Sequence, residues 1–171
     1  QLDYANGVKA MVWNSGNEPG RVTVRVRFGS GARAFSSNDA VYARLGQMAL
    51  VSAGEDGLDQ DALDRISTGR KMGFDFDIKD AAFTFNAATR KEDLADQLYL
   101  FAAKLAKPRW DAAPIERAKA SAKLAYPSFG TDPSNVLGRD LEWLLSNRDP
   151  RYATPTPAAL DAGTPEGFRK V

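Results

Sequence analysis

From Arg21 to Phe28 the chain alternates without a break. Val22, Val24, Val26 and Phe28 fall on one side, and Arg21, Thr23, Arg25 and Arg27 on the other. That period of two predicts a strand with one face on a core and one basic, polar face. Before it, Asn6-Gly7 is a turn signal, Val8 to Trp13 reads as a strand, and Asn14 to Gly20 is dense in turn formers. The two strands are expected to pair as a hairpin. Farther on, Phe74, Phe76 and Ile78 alternate with Asp75, Asp77 and Lys79, and Phe83 with Phe85 resumes after Asp80, predicting a second hairpin.

The remaining segments carry helical spacing. Ser36-Ser37-Asn38 offers caps for a helix to about Ser52, with Val41, Leu45 and Met48 as its stripe. Gly54 to Gly57 reads as a loop. Asp59 caps a second helix, with Leu58 and Leu63 as a staple and Gly69 as its stop. Thr89-Arg90-Lys91-Glu92 has the form of a capping box ahead of a stripe of Leu94, Leu98, Phe101 and Leu105, ended by Pro108. Pro114 opens a helix to about Ala125, broken by Pro127 and Gly130, and Asp132-Pro133 opens another with a stripe of Leu137, Leu141 and Leu144. Arg148 to Pro157 is proline-rich and reads as extended. Thr164-Pro165-Glu166 has the form of a helix start, and with the sequence given ending at Val171 the C-terminus reads as a cut. The order β-β-α-α-β-β-α-α-α predicts an α+β fold of two layers: a mixed, mostly antiparallel sheet with helices on one face. Residues 1–171 read as a single domain.

Composition removes several chemistries. The 171 residues include no Cys and no His, so no thiolate nucleophile, no Ser-His-Asp triad and no imidazole or thiolate zinc site can be built from this chain. Lys and Arg total 23 against 22 Asp and Glu, a net charge of +1. That balance gives no global pull toward nucleic acid. No apolar run approaches the roughly 18 residues that span a bilayer. No nucleic-acid partner, membrane span or cofactor held by this chain is expected.

Three local patterns have both a functional and a plain reading. Gly29-Ser30-Gly31-Ala32-Arg33-Ala34 matches a dinucleotide fingerprint, yet no helix begins at the glycines and no βαβ unit follows, so it reads as a turn. Asp75, Asp77 and Asp80 could hold a divalent cation, but other oxygen ligands at recognisable spacing are missing and a solvated sheet face explains them. Arg21, Arg25 and Arg27, with Arg33 beyond, could bind an acidic segment or peptide carbonyls. Pairing with Asp75 and Asp77 across neighbouring strands explains the same stripe. The aromatics Phe74, Phe76, Phe83 and Phe85 alternate with polar residues and are expected in the core rather than on a base-stacking platform.

The landmarks also have a familiar order. They run Asn6-Gly7-Val8, Glu18-Pro19-Gly20, Val24 to Gly31, Leu58-Asp59 with Ala62-Leu63, Gly69-Arg70-Lys71, Lys91 to Leu94 with Gln97-Leu98, and Lys107 to Asp111. In this order and spacing the chain resembles the pitrilysin/insulinase family of zinc peptidases over about Leu2 to Pro165. Active members carry H-x-x-E-H on the helix after the second strand, two His holding zinc and the Glu activating water. Laid on this chain, the motif falls on Arg44, Leu45, Gly46, Gln47 and Met48. Arg44 and Met48 stand at the two ligand positions and Gln47 at that of the base, so the resemblance implies a degenerate, non-catalytic half-domain. It implies a metallopeptidase-type fold, and zinc in a catalytic domain elsewhere in a longer parent. The catalytic half of that parent and a peptide substrate would be the partners, with Arg25 and Arg27 as peptide contacts. It favours an exported or periplasmic location. A structural subunit of a two-chain assembly and a free-standing binding module are the alternatives.

Overall fold

A computed structural model describes residues 1–55 and 57–171. Position 56, inside the loop expected over residues 54–57, lies outside the described residues. Strand β1 (Leu2–Asp3) pairs with β2 (Lys9–Ala10), while β3 (Arg21–Phe28), β4 (Asp75–Lys79) and β5 (Ala82–Arg90) form a separate sheet in the order β3-β5-β4. Every strand pair is antiparallel, so the sheet is not mixed. The helices are α1 (Ala40–Val51), α2 (Gln60–Ile66), α3 (Leu94–Ala106), α4 (Ala112–Ala125), α5 (Pro133–Leu145), α6 (Pro157–Asp161) and α7 (Pro165–Lys170). The architecture is α+β, as expected.

Period two decides the sheet. Val26, Phe85 and Phe76 are in register on one face, as are Phe28, Phe83 and Ile78. Leu50 of α1 and Phe101 of α3 close over them to make the aromatic core. A second core lies between helices: Leu45 and Ala49 of α1 meet Ile115 and Ala118 of α4, Leu160 of α6 and Phe168 of α7. Helix α1 thus serves both cores, and Trp110 links them by stacking on Phe168 at 5.3 Å. The proline starts act as their chemistry predicts. Asp132, Thr156 and Thr164 each accept a hydrogen bond from the backbone N–H three residues on, with proline in the first turn that follows.

The first hairpin differs from expectation. β2 pairs with β1, and the partner of β3 is β5. Met11, Val12 and Trp13 are exposed and outside any strand. The loop from Tyr4 to Val8, turning at Asn6-Gly7, joins β1 and β2 more locally than the longer segment from Met11 to Gly20 could join β2 to β3, and short loop closure wins.

The capping box at Thr89 is also overturned. Thr89 belongs to β5, is fully buried, and donates its hydroxyl to the Lys71 carbonyl at 2.6 Å. The same end of β5 and the start of α3 fasten the whole loop from Gly69 to Gly73. Asp93 accepts from the Lys71 N–H and from Arg90, which holds its carboxyl below the usual carboxylate range, and Arg90 also donates to the Gly69 carbonyl. Gln97, with no exposed surface, donates to the Gly73 carbonyl at 2.8 Å and accepts from the Gly73 N–H at 2.9 Å. Its amide acts as a strand partner for a loop that has none. Gln97→Leu keeps the volume and removes both bonds, and should cost about 2–3 kcal/mol by leaving backbone groups unpaired. Chemical denaturation would measure it, and an unchanged midpoint would remove this role.

The inward face of α3 is accordingly Gln97, Phe101 and Lys104, whereas Leu98 and Leu105, expected inside, are exposed. The loops beneath α3 present backbone groups that only polar side chains can satisfy. On α5 the apolar stripe exists, but no residue of the helix is buried, and Leu137, Leu141 and Leu144 are exposed. Among the described residues, no helix is long and apolar enough to cross a membrane.

Candidate functional site

The three motif positions lie at i, i+3 and i+4 of α1 and so share one face. Helix α1 runs beside the edge strand β4, where Gln47 Nε2 donates to Asp77 Oδ1 at 3.3 Å. Arg44 reaches the other way: its Nη2 lies 3.3 Å from the Tyr152 carbonyl and 3.5 Å from Glu142 Oε2. Both residues border a groove of about 460 Å³ between β4, α1 and the turn at Pro150–Tyr152. Met48 is not part of that groove and borders a neighbouring one with Ala122 and Tyr126.

The donor set decides whether zinc fits. Where the resemblance would lay two imidazoles and a carboxylate, α1 carries a guanidinium, a thioether and a carboxamide; the first repels a cation and the others bind zinc poorly. Among the described residues no cluster of three or more His, Cys, Asp or Glu could hold a metal ion. The residues at these positions do not fit zinc.

The basic stripe divides between two surroundings. β5 lies between β3 and β4, so the expected direct pairing of the arginines with Asp75 and Asp77 does not occur. A carboxamide relays instead. Arg25 Nε donates to Asn86 Oδ1 at 2.9 Å, and Asn86 Nδ2 donates to Asp77 Oδ2 at 3.4 Å. Arg21 is held by Glu18 at 3.0 Å. Arg27 lines the groove with Arg44 and is exposed. The arginines expected to act together therefore have different surroundings, Arg25 tied into the sheet and Arg27 in the groove.

Other members of the groove were not singled out by the sequence. Tyr152 donates its hydroxyl to Asp80 Oδ1 at 3.0 Å; burial pushes its phenol up, and the bond to Asp80 acts in the same direction. Asp149 grips Arg151 through both oxygens, which holds the Asp149 carboxyl below its ordinary range. The available signal was Asp149-Pro150, a cap followed by proline like Asp132-Pro133, which marks a turn rather than an extended stretch. The glycine-rich segment after β3 forms a 3-10 turn at Gly31–Ala34 whose Arg33 N–H donates to the Asp80 carbonyl.

No family model and no curated protein matches the sequence. Solved structures do match its fold. The periplasmic protease PqqL from Escherichia coli is 12% identical with a TM-score of 0.71 over 91% of this chain and 17% of that one. An M16 peptidase inactive domain from Pseudomonas fluorescens is 19% identical with a TM-score of 0.65 over 88% of this chain and 37% of that one. The ferredoxin protease FusC, in complex with Arabidopsis ferredoxin, is 14% identical with a TM-score of 0.65 over 89% of this chain and 17% of that one. The chain spans well under half the length of each. At these identities the likeness is one of fold: this chain has the fold of domains found in M16-type peptidases.

Proposed function

We propose that this chain is a non-catalytic half-domain of a zinc-dependent metalloendopeptidase, forming chamber wall and peptide-binding surface. The observation that carries the reading is the fold shared with peptidase domains, in a chain without His or Cys that has Arg44, Gln47 and Met48 on α1, where the resemblance lays the motif. The expected partner is the catalytic half of a longer protein, where zinc would reside. The exposed apolar stripe of α5 supports packing against further polypeptide. The same stripe would serve a structural subunit of a two-chain assembly, which is the second reading. An exported location rests on the periplasmic naming of PqqL.

The purified chain should hold no stoichiometric zinc and show no chelator-sensitive peptide cleavage. One tightly bound zinc per chain by metal analysis would overturn the non-catalytic assignment. The peptide role has its own test. Arg25→Ala with Arg27→Ala, in the peptidase this reading implies, should raise KM for acidic peptides and leave kcat little changed, since the chemistry belongs to another domain. Unchanged kinetics with a clear loss of stability would make the stripe structural.

A further inference from the structure

The groove beside α1 is lined by Arg27, Arg44, Lys79 and Arg151, with Asp80 and Glu142 as its acids. The pairing within it is uneven. Asp80 accepts the Tyr152 hydroxyl, Glu142 accepts Arg44 over a long 3.5 Å, and Arg151 is engaged by Asp149. Lys79 lies 3.5 Å from Asp77, whose oxygens already accept from Gln47 and Asn86. Arg27 has no side-chain hydrogen bond or ion pair with any described residue. Its neighbour along the β3 face, Arg25, bonds a neutral carboxamide and neutralises nothing.

Two guanidinium groups therefore border the groove from different elements, Arg27 from β3 and Arg44 from α1, the first unpaired among the described residues and the second weakly paired. Guanidinium forks match carboxylates in geometry as well as charge, and a concave site concentrates their field. We infer that this groove is a carboxylate-binding site, with Arg27 and Arg44 as its anion-holding groups. The ligand is a peptide presenting an acidic side chain or a free C-terminus. This deepens the peptide-surface reading and rests on it.

The test uses the 171-residue chain and three fluorescent decapeptides of one backbone sequence. One carries two central Glu with a capped C-terminus, one carries Gln instead with the same cap, and one carries Gln with a free C-terminal carboxylate. At low salt the Glu peptide, the free-acid peptide or both should bind at least about 5-fold more tightly than the capped Gln peptide, and which does so identifies the source of the carboxylate. Arg27→Ala and Arg44→Ala should each abolish the preference while the thermal midpoint stays near wild type. Arg27→Lys should keep part of it, because charge is retained and the fork is lost. Raising salt should shrink the preference. Equal binding of all three peptides overturns the carboxylate site and leaves the peptide surface standing. A preference that survives both alanine variants places the anion site elsewhere and overturns the inference. No binding of any peptide overturns both readings.

Discussion

Lys104→Met is expected to lower the stability of the domain by about 2–4 kcal/mol, although it replaces a charged residue in the interior by an apolar one of similar length. Lys104 is only 3% exposed on the inner face of α3. Its Nζ donates to the Ala53 carbonyl and lies 3.4 Å from the Gly54 carbonyl, just past the end of α1, and sits 5.1 Å from the centre of the Phe74 ring. Glu55, 4% exposed, adds an opposing charge. Methionine would fill the space but leave the Ala53 and Gly54 carbonyls without this donor. A double-mutant cycle with Glu55→Gln measures how strongly the two charges are coupled.

The same lysine makes a signed prediction about pH. Burial holds the Lys104 ammonium below the ordinary lysine value, against the smaller opposing pull of Glu55. In the unfolded chain it titrates near about 10.4. Between its folded value and that one, the unfolded state binds more protons, so its contribution to stability rises with pH through that window. The gap between wild type and Lys104→Met should therefore widen as pH climbs toward about 10.4. Denaturation midpoints of both proteins at several alkaline pH values cancel the other titrating groups. A constant gap would show that burial does not perturb this lysine.

Legibility in the sequence tracked how local the deciding interaction was. β3 and the β4–β5 hairpin were readable because their alternation and turn are contained within a few residues, and the helix starts at Asp132-Pro133 and Thr164-Pro165 because a cap and a proline are neighbours. The orientation of α3 was not readable. Gln97 and Lys104 face inward to satisfy backbone groups at Gly73 and Ala53, which are 24 and 51 residues away, and no periodicity encodes such partners. For the site, the motif positions on α1 and the basic face of β3 were visible as residue types at a spacing. Their division between sheet and groove was not, because it depends on β5 entering between β3 and β4 and on the Pro150–Tyr152 turn folding back to Arg44.

Gly31→Ala should cost about 2–5 kcal/mol and disturb the groove as well as the fold. Gly31 has a φ of +60°, where an alanine is strained by its own backbone. A Cβ placed there would lie 1.9 Å from the Lys79 carbonyl oxygen and 2.5 Å from the Ala82 nitrogen. These are backbone atoms of the tight β4–β5 turn and cannot rotate away as a side chain could. Relief requires the 3-10 turn at Gly31–Ala34 to move off the sheet, stretching the 3.3 Å bond from the Arg33 N–H to the Asp80 carbonyl. Ala32 and Asp80 both line the groove, and Asp80 holds Tyr152, whose carbonyl Arg44 bonds, so the displacement reaches Arg44. Gly57→Ala is the control, since a Cβ at Gly57 meets nothing within 4 Å. Gly31→Ala is expected to lower the thermal midpoint far more than Gly57→Ala and to weaken binding of the Glu-bearing decapeptide in whatever fraction remains folded. Equal midpoints for the two variants would mean that the turn yields easily and that the close approach at Gly31 does not hold the groove in shape.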